Sequence, residues 1–433
     1  MKNSRQFAFE ILNKIQKDNS YSNLLLDNVF NSNDISVQDR KFTSVLVYGV
    51  IERMITLDYQ ICLYLTQPLK KLKPQVLTIL RLGSYQLLFM DKVPPSAAIN
   101  ESVKLSKSNG AGFASGLINA VLRKISNNGV VLPNADSKDY LSVKYSVPKW
   151  LCDLWSNAYG AFNAEKLAEA TVGATNTVLK VNNTKISSNE LVEMLKTQEI
   201  FCEIQDNYIV ANGALHKTKA YRDGLFHVQD KASQLCCKAV NPKSGDRILD
   251  VCGAPGGKSF TLAEMLELSG EVVCCDIHKH RVELIKKSAL RLGLSNVTEL
   301  VNDGTKYNDK LGLFDRVLCD VPCAGLGVIR KKPEIKYKDS ALFDNLPDLQ
   351  YSILDISSRY VNENGYLFYS TCSLNPNENE NVVNRFLKEH GEFISVRVLD
   401  GVARYSENTD YITLMPHIHN CDGFFIAGFQ KIG

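Results

Sequence analysis

From Asp246 onward the chain alternates short apolar segments with longer amphipathic ones, and no other feature constrains the fold as strongly. The apolar segments have the length of buried strands, and the segments between them follow the periodicity of helices. Because parallel neighbours need a crossover helix, the pattern predicts a doubly wound α/β sheet with mostly parallel strands. The predicted strands are 247–251, 271–277, 297–302, 315–320, 365–370, 394–398 and 423–430, and the predicted helices are 259–266, 279–292, 342–361 and 378–389.

The first 130 residues predict an all-α bundle instead. Apolar side chains recur there at helical spacing, and breakers such as Gln67-Pro68 separate the helices, which include 40–56, 75–89 and 99–125. A polar linker at 127–138 leads to a small α+β segment. Its predicted elements are a helix that begins at Pro148, strands at 177–181, 201–204 and 208–210, and a helix at 188–197. We therefore predict three domains, at 1–130, 139–225 and 226–433.

The formal net charge of +3 is unevenly distributed. Residues 1–130 carry sixteen Lys and Arg against nine Asp and Glu, a net charge of +7, so the remaining residues carry −4. A basic first domain is typical of a protein that binds a polyanion, although a solvated lysine-rich helix surface explains the charge equally well. The residues of this domain that we assign to contact with such a polyanion are Lys70, Lys71 and Lys73.

The composition disfavours several classes of protein. The 433 residues suffice for two or three domains, and no apolar run approaches the roughly 18 residues of a membrane-spanning helix. The start lacks the apolar stretch of a signal peptide, so we expect a cytoplasmic protein. The vicinal cysteines at 236–237 and 274–275 are interpreted as small buried hydrophobes. We predict no metal site, because His417-x-His419 alone supplies too few ligands.

A glycine-rich loop stands between the first strand of the predicted sheet and the helix after it. The loop is Cys252-Gly253-Ala254-Pro255-Gly256-Gly257-Lys258, shortly after the strand residue Asp250. Glycines let the backbone approach a ligand closely, and a helix N-terminus adds free N–H groups. Asp276 and Asp303 end the next two strands, where carboxylates reach the ribose and adenine of a nucleotide. We therefore predict a nucleotide-like cofactor, with S-adenosylmethionine favoured.

Other interpretations of this loop fit less well. Its end, Gly256-Gly257-Lys258-Ser259, is similar to that of a phosphate-binding P-loop, but that motif needs glycine where Cys252 stands. The loop also lacks the G-x-G-x-x-G fingerprint of NAD-binding domains. A turn without a ligand is disfavoured by the carboxylates that follow at successive strand ends.

Two cysteines, each at the end of a predicted strand, indicate the chemistry. Asp320-Val321-Pro322-Cys323 ends one strand, and Ser370-Thr371-Cys372-Ser373 ends another. A thiolate that adds to C6 of a pyrimidine turns C5 into an enamine carbon that accepts a methyl group. Asp320, protonated or sharing a proton, would bond cytosine N3 and stabilise the charge that builds up after addition. The residues alone leave open which thiol attacks.

These motifs resemble those of the RNA (cytosine-5) methyltransferases. The segments that carry the resemblance are 249–258, 320–323 and 369–373, and 325–336 is similar to a segment of the bacterial Sun/RsmB branch. That branch methylates a cytosine of 16S rRNA and carries an N-terminal helical domain similar to the NusB antiterminator. The resemblance implies an all-α NusB-like bundle, a small α+β (RRM-like) middle domain and an α/β Rossmann-like methyltransferase domain that uses S-adenosylmethionine.

The resemblance also implies roles for single residues. Cys372 becomes the nucleophile, and Cys323 becomes the residue that helps to release the product. The implied cofactor contacts are Cys252, Gly253, Ala254, Pro255, Gly256, Gly257, Lys258, Asp276, Asp303 and Asp320. Ala324 departs from the pattern because relatives usually carry serine there, but the thiol and Asp320 are retained.

A second basic stretch follows Cys323 in the sequence. It contains Arg330, Lys331, Lys332 and Lys336, with an aromatic residue, Tyr337, among the charges. Phosphate contact and base stacking would both suit such a stretch, so we predict that it contacts RNA. The alternative is a solvated loop.

The leading hypothesis is a cytosine-5 methyltransferase that acts as a monomer, away from membranes, on naked 16S rRNA or an early assembly intermediate. The alternatives are a tRNA or DNA cytosine-5 methyltransferase and a non-catalytic NusB-like RNA-binding factor. The thiols and the glycine-rich loop disfavour the non-catalytic factor, and the two-cysteine arrangement disfavours a DNA substrate.

Overall fold

The structure, a computed structural model, describes residues 3–18, 22–173, 175–406 and 409–432. The chain packs as two compact units. The helical unit comprises Met1–Gly173 together with Ile329–Lys338, and the mixed unit comprises Ala174–Val328 and Asp339–Gly433. The predicted domain ends at residues 1 and 433 lie outside the described residues.

The helical unit packs its helices around one apolar core. Leu, Ile and Val side chains form this core, among them Ile11, Leu46, Ile79 and Leu122, each of which is at most 2% exposed. Its helices are α1 (Ser4–Asp18), α2 (Ser22–Ser32), α3 (Val37–Glu52), α4 (Met54–Cys62), α5 (Pro74–Phe89), α6 (Pro95–Ser108), α7 (Ser115–Asn128), α8 (Tyr140–Tyr145) and α9 (Lys149–Ala170). Proline in the first turn of α5 and α6 suits a helix start.

Two helices predicted for this unit are each divided in the structure. The sequence predicts one helix at 99–125, but α6 ends at Ser108 and α7 begins at Ser115. Between them Gly110 adopts φ = +72°, the left-handed conformation that commonly ends a helix. The helix predicted at 40–56 divides at Arg53, whose ψ of 14° leaves the helical range. Apolar periodicity continues across both breaks and therefore does not reveal them.

The mixed unit begins with a small antiparallel sheet. Its strands are β1 (Thr177–Val181), β2 (Phe201–Gln205), β3 (Tyr208–Asn212) and β4 (Phe226–Val228), in the order β2-β3-β1-β4. Helices α10 (Ser188–Thr197) and α11 (Lys219–Arg222) accompany it. A capping box starts α10, since Ser187 accepts from the Glu190 amide while the Glu190 side chain bonds the Ser187 amide.

The predicted middle domain at 139–225 does not coincide with one compact unit. Helices α8 and α9 belong to the helical unit, and α9 is the helix predicted from Pro148. The boundary at 225/226 also separates β4 from its sheet, because Phe226 pairs with Val181. A strand of three residues is too short to show alternation, which explains why the sequence pattern misses it.

The large sheet confirms the predicted α/β class. Its strands are β5 (Arg247–Asp250), β6 (Glu271–Asp276), β7 (Val297–Val301), β8 (Phe314–Asp320), β9 (Val361–Thr371), β10 (Phe393–Val396), β11 (Ile412–Leu414) and β12 (Phe424–Lys431). The order is β10-β12-β9-β8-β5-β6-β7, with β11 paired to β12. The five strands from β9 to β7 run parallel, whereas β10, β11 and β12 join in antiparallel pairs.

Both faces of the large sheet are buried, as expected for parallel strands with helices on either side. Leu249 and Val317 lie in one apolar cluster, while their neighbours Ile248 and Leu318 lie in another. The helices are α12 (Lys231–Val240), α13 (Gly257–Met265), α14 (Lys279–Leu292), α15 (Leu346–Ser358), α16 (Glu380–Glu389) and α17 (Pro416–His419). The vicinal cysteines at 236–237 and 274–275 are buried, which confirms their interpretation as core residues.

Within the described residues, no helix has both the length and the apolar character needed to cross a membrane. The cysteines carry free thiols, and none of them forms a disulfide.

Candidate functional site

The carboxyl ends of neighbouring parallel strands bring the predicted site residues to one edge of the large sheet. Asp250 ends β5, Asp276 ends β6 and Asp320 ends β8. Asp320 pairs in register with Ser370, two residues before Cys372. In open α/β sheets this edge is where ligands bind.

The glycine-rich loop turns tightly from β5 into α13. The Gly253 amide donates a 2.8 Å hydrogen bond to the Cys275 carbonyl, and a Cβ at Gly253 would lie 2.4 Å from the Cys274 sulfur. Gly256 adopts φ = +107°, directly before the first residue of α13. Glycine is therefore required at both positions, at the first for close packing and at the second for backbone conformation.

Asp250 lies buried beneath the loop. Its Oδ2 accepts a 2.6 Å hydrogen bond from the Ser259 hydroxyl, whereas its buried Oδ1 has no hydrogen-bond partner. Burial raises the pKa of Asp250 to about 7, which the Ser259 bond opposes. The orphaned oxygen leaves one acceptor available at the base of the site.

The two carboxylates predicted to bind a nucleotide are held in place by nearby bonds. Asp276 is 4% exposed, accepts from the His278 amide at 2.9 Å and pairs with Arg281 at 2.9 Å. Arg281 also donates to the Ala254 carbonyl at 2.8 Å, so it ties this carboxylate to the glycine-rich loop. Asp303 accepts from the Thr305 hydroxyl, and this bond holds the pKa of Asp303 below its ordinary value.

Asp320 forms an ion pair with the last residue of the glycine-rich loop. Lys258 Nζ lies 2.6 Å from Asp320 Oδ2, and the Ser370 hydroxyl donates to Oδ1 at 2.8 Å. Although burial lowers the pKa of Lys258, the Asp320 carboxylate outweighs this and raises it above the ordinary value. Lys258 and Ser370 thus hold the two carboxylate oxygens of Asp320 at the end of β8.

The two cysteines meet at the end of β8 and β9. Cys323 Sγ and Cys372 Sγ are 3.2 Å apart, and both side chains are half-buried. The Cys372 thiol, together with burial, raises the pKa of Cys323 well above its ordinary value. Cys323 therefore keeps its proton, and either sulfur can donate in the contact between the two thiols.

A glycine lets the two cysteine-bearing loops approach each other. The Gly327 amide donates to the Cys372 carbonyl at 2.9 Å, and the Gly327 carbonyl accepts from the Gly423 amide at 2.9 Å. A Cβ at Gly327 would lie 1.9 Å from the Gly423 oxygen. We call residues 321–328 the first cysteine loop and residues 372–379 the second cysteine loop.

Sequence reasoning missed the polar residues that hold these two loops. Glu378 and Gln350 are both fully buried and bond to each other at 3.0 Å. The only available signal was an acid two residues before α16 in a segment otherwise rich in asparagine, which is also typical of an ordinary helix start.

The predicted RNA-contact residues divide into exposed and buried ones. Lys331 and Lys332 are exposed, as are Lys70, Lys71 and Lys73 in the helical unit. Lys336 is 0% exposed, and its ammonium donates to the Glu52 carbonyl at 2.7 Å. The prediction of RNA contact is therefore wrong for Lys336, because its side chain lies in the interior of the helical unit.

Comparison with known protein families assigns a relationship to each part of the chain. The profile described as 16S rRNA methyltransferase RsmB/F matches residues 237–430, and the NusB family profile matches residues 2–127. A profile for the ferredoxin-like domain of RsmF/B-like methyltransferases matches residues 147–211. These matches confirm the predicted fold class of a NusB-like helical bundle, a small α+β middle domain and a Rossmann-like methyltransferase domain, and they describe the middle domain as ferredoxin-like.

Similar proteins extend over the whole chain. The probable ribosomal RNA small subunit methyltransferase B of Bacillus subtilis is 36% identical over 99% of both chains. The crystal structure of PH0851 has the same fold, with a TM-score of 0.82 and 23% identity over 100% of this chain and 99% of that one. The structure of NSun6 from Pyrococcus horikoshii with SFG has a TM-score of 0.61 and 21% identity, covering 66% of this chain and 98% of that one.

Proposed function

The chain belongs to the RsmB/F family of 16S rRNA methyltransferases, and we propose that it transfers a methyl group from S-adenosylmethionine to C5 of a cytosine in 16S rRNA. The observation that carries the proposal is the pair of thiols, 3.2 Å apart, at the carboxyl edge of the sheet. Activating C5 of a pyrimidine needs a nucleophile that adds and later leaves, and a thiol does both.

The residues at the sheet edge fit S-adenosylmethionine, which would supply the electrophilic methyl group. Three acids stand at this edge as predicted cofactor contacts, Asp276, Asp303 and Asp320, and their charge suits a cofactor that carries a sulfonium and an ammonium. Asp276 would accept hydrogen bonds from the ribose hydroxyls, and Asp303 would bind at the adenine. The backbone of residues 252–258 would approach the cofactor closely, since its glycines carry no side chains.

In the proposed reaction, Cys372 acts as the nucleophile. Its thiolate forms a bond to C6, which makes C5 electron-rich enough to take the methyl group. A base then removes the C5 proton, and the electron pair of that C–H bond re-forms the C5–C6 double bond as the Cys372–C6 bond breaks. Cys323 assists this release, and its raised pKa supports the assignment because a protonated Cys323 leaves the thiolate to Cys372.

Asp320 positions the target base in this proposal. With Lys258 beside it the carboxylate accepts hydrogen bonds, so contact with cytosine N3 requires one proton between the two atoms. The target nucleotide must also leave any base stack to reach the thiols. The NusB-like domain would bind the surrounding RNA.

The test of substrate is direct. The protein is incubated with labelled S-adenosylmethionine and either naked 16S rRNA, small-subunit assembly intermediates or tRNA, and the modified nucleotide is mapped. We expect label on one cytosine of 16S rRNA at C5. Label on tRNA alone would show a tRNA methyltransferase, and no label on any RNA would favour a non-catalytic RNA-binding factor.

The roles of the thiols have a test of their own. We expect Cys372→Ala to abolish transfer and to form no covalent adduct, because the attacking atom is missing. Cys323→Ala should instead accumulate an RNA–protein adduct that survives denaturing electrophoresis, because addition proceeds and release is blocked. An adduct in Cys372→Ala but not in Cys323→Ala would reverse the assignment.

A further inference from the structure

Glu378 joins the two cysteine loops through one buried carboxylate. Its side chain is 0% exposed and lies in the turn between β9 and α16. Oε2 accepts a 2.8 Å hydrogen bond from the amide of Ala324, the residue after Cys323. Oε1 accepts a 2.6 Å hydrogen bond from the hydroxyl of Ser373, the residue after Cys372. The same side chain therefore bonds to the residue that follows each thiol.

Three further side chains complete the cluster. Gln350 of α15 donates to Glu378 Oε2 at 3.0 Å and to the Pro322 carbonyl at 2.9 Å, so it adds a second bond to the first cysteine loop. Asn375 donates to Oε1 at 3.1 Å from within the second loop. The Tyr369 hydroxyl of β9 donates to the backbone carbonyl of Glu378 at 2.5 Å. Bonds from α15 and both loops thus fix the carboxylate, and the bond from β9 fixes the backbone of the same residue.

The carboxylate carries its charge among neutral donors. The four hydrogen bonds that its two oxygens accept come from one backbone amide, two side-chain amides and one hydroxyl. Such a charge raises the pKa of a neighbouring thiol, and Glu378 contributes to the raised pKa of Cys323 after the larger effects of the Cys372 thiol and burial.

We propose that Glu378 is a positioning residue that clamps the two cysteine loops at thiol-contact distance and that its charge helps Cys323 to hold its proton. In the proposed function Cys372 attacks, and Cys323 holds its proton until the release step. The proposal deepens the proposed function and rests on it for its catalytic meaning. The proton-holding role is a property of the folded protein that can be measured without RNA.

The first experiment measures the reactivity of each thiol. Iodoacetamide alkylation of Cys323 and Cys372 is followed across neutral and alkaline pH by mass spectrometry of their peptides in the full-length protein. Glu378→Gln removes the charge and places an amide N–H₂ where donors already point. We expect the pH midpoint for Cys323 to fall by about one unit and the preference for Cys372 to diminish.

A matched control lies two residues along the chain. Glu380 opens α16 and takes part in none of the bonds that define the clamp. Glu380→Gln makes the same chemical change and should keep the wild-type midpoint for Cys323. A wild-type midpoint in Glu378→Gln, or an equal shift in Glu380→Gln, would overturn the proton-holding role.

The second experiment separates positioning from folding. Glu378→Asp keeps the charge but shortens the side chain, so it should retain the Cys323 midpoint while kcat for methyl transfer falls about 100-fold with an unchanged KM for RNA. Wild-type kcat in Glu378→Asp would overturn the clamp, and this variant decides the question if Glu378→Gln does not fold. Wild-type protein without activity on any RNA would refute the proposed function while the alkylation result still decides the proton-holding role.

Discussion

At the scale of single residues, the chemistry of the site depends on which of its acids and thiols carry a proton. Burial raises the pKa of Asp250 to about 7, while Asp320 is paired with Lys258 and Cys323 keeps its proton beside Cys372. Neighbouring acids and thiols therefore differ in protonation because their partners and exposure differ. The unequal roles that we propose for the two cysteines, which lie 3.2 Å apart, rest on such differences.

Replacing Gly327 by alanine should disturb the thiol pair without removing any reactive group. The added Cβ would lie 1.9 Å from the Gly423 carbonyl oxygen and 2.9 Å from that of Cys372. Backbone must shift to relieve these contacts, so we expect a loss of about 1–3 kcal/mol in stability and reduced methyl transfer. Thermal denaturation and initial rates measure the two effects.

Gly391→Ala provides the control, because a Cβ there meets no atom within 4 Å. We expect this variant to have nearly the melting temperature and the initial rate of the wild type. Wild-type activity in Gly327→Ala would show that the close approach of the loops is dispensable.

At the scale of elements, the sequence pattern predicts the long apolar strands best. The strand predicted at 315–320 is β8 (Phe314–Asp320), and the helix predicted at 279–292 is α14 with the same bounds. Strands β4 and β11 have three residues each and show no measurable alternation. The sequence thus predicts which strand ends carry Asp320 and both cysteines, because those follow long strands.

What the sequence pattern could not predict is the pairing of polar side chains in space. The bond from Glu378 to the Ala324 amide joins residues 54 positions apart, and the Lys258–Asp320 pair joins residues 62 apart. Lys336 was predicted wrongly for the same reason. A basic run in the sequence predicts a lysine that faces solvent, but the fold buries this one. Such contacts follow from the three-dimensional packing rather than from local periodicity.

Lys336 gives the segment Ile329–Lys338 a pH-dependent stability. Burial lowers the pKa of Lys336 to about 7, from an ordinary 10.5, in the folded state. Between these values the unfolded chain binds a proton that the folded chain does not, so stability rises with pH across this window and falls as pH drops towards 7. The slope from one such group is at most about 1.4 kcal/mol per pH unit.

Lys336→Met should remove this slope, because methionine does not titrate. Urea denaturation at neutral and at alkaline pH measures it, and we expect the stability of the variant relative to wild type to be greatest near pH 7 and to decline as pH rises. Lys332→Met, at an exposed position of the same segment, should leave the pH dependence of wild type unchanged. A wild-type slope in Lys336→Met would contradict the assignment.

At the scale of the whole molecule, charge and chemistry lie in different parts of the chain. Residues 1–130 carry a net charge of +7, whereas the thiols and the acids proposed to bind the cofactor belong to the mixed unit. Sequence-independent affinity for RNA comes mostly from phosphate contacts. We therefore expect the helical unit to contribute binding and the mixed unit to contribute the chemistry.

Replacing Lys70, Lys71 and Lys73 together by glutamine should weaken RNA binding and reduce its dependence on salt. Each phosphate contact that is lost lowers the slope of log affinity against log salt by about 0.7 for single-stranded RNA, so three lost contacts lower it by about 2. Exposed Lys73 also lies 4.7 Å from the centre of the exposed Phe113 ring, a pair suited to a phosphate and a stacked base. Fluorescence anisotropy with a 16S rRNA fragment across a salt series measures the slope.

The matched control removes three other exposed lysines from the same unit, Lys14, Lys17 and Lys41, and so changes the net charge equally. If the contacts are local, this control keeps nearly the wild-type slope of log affinity against log salt, while in the first triple variant that slope falls by about 2. Equal losses in both variants would mean that overall charge, and not the surface around Lys73, attracts the RNA. The maximal rate at saturating RNA should stay at the wild-type level in both, because neither triple variant alters the thiols or the acids of the mixed unit.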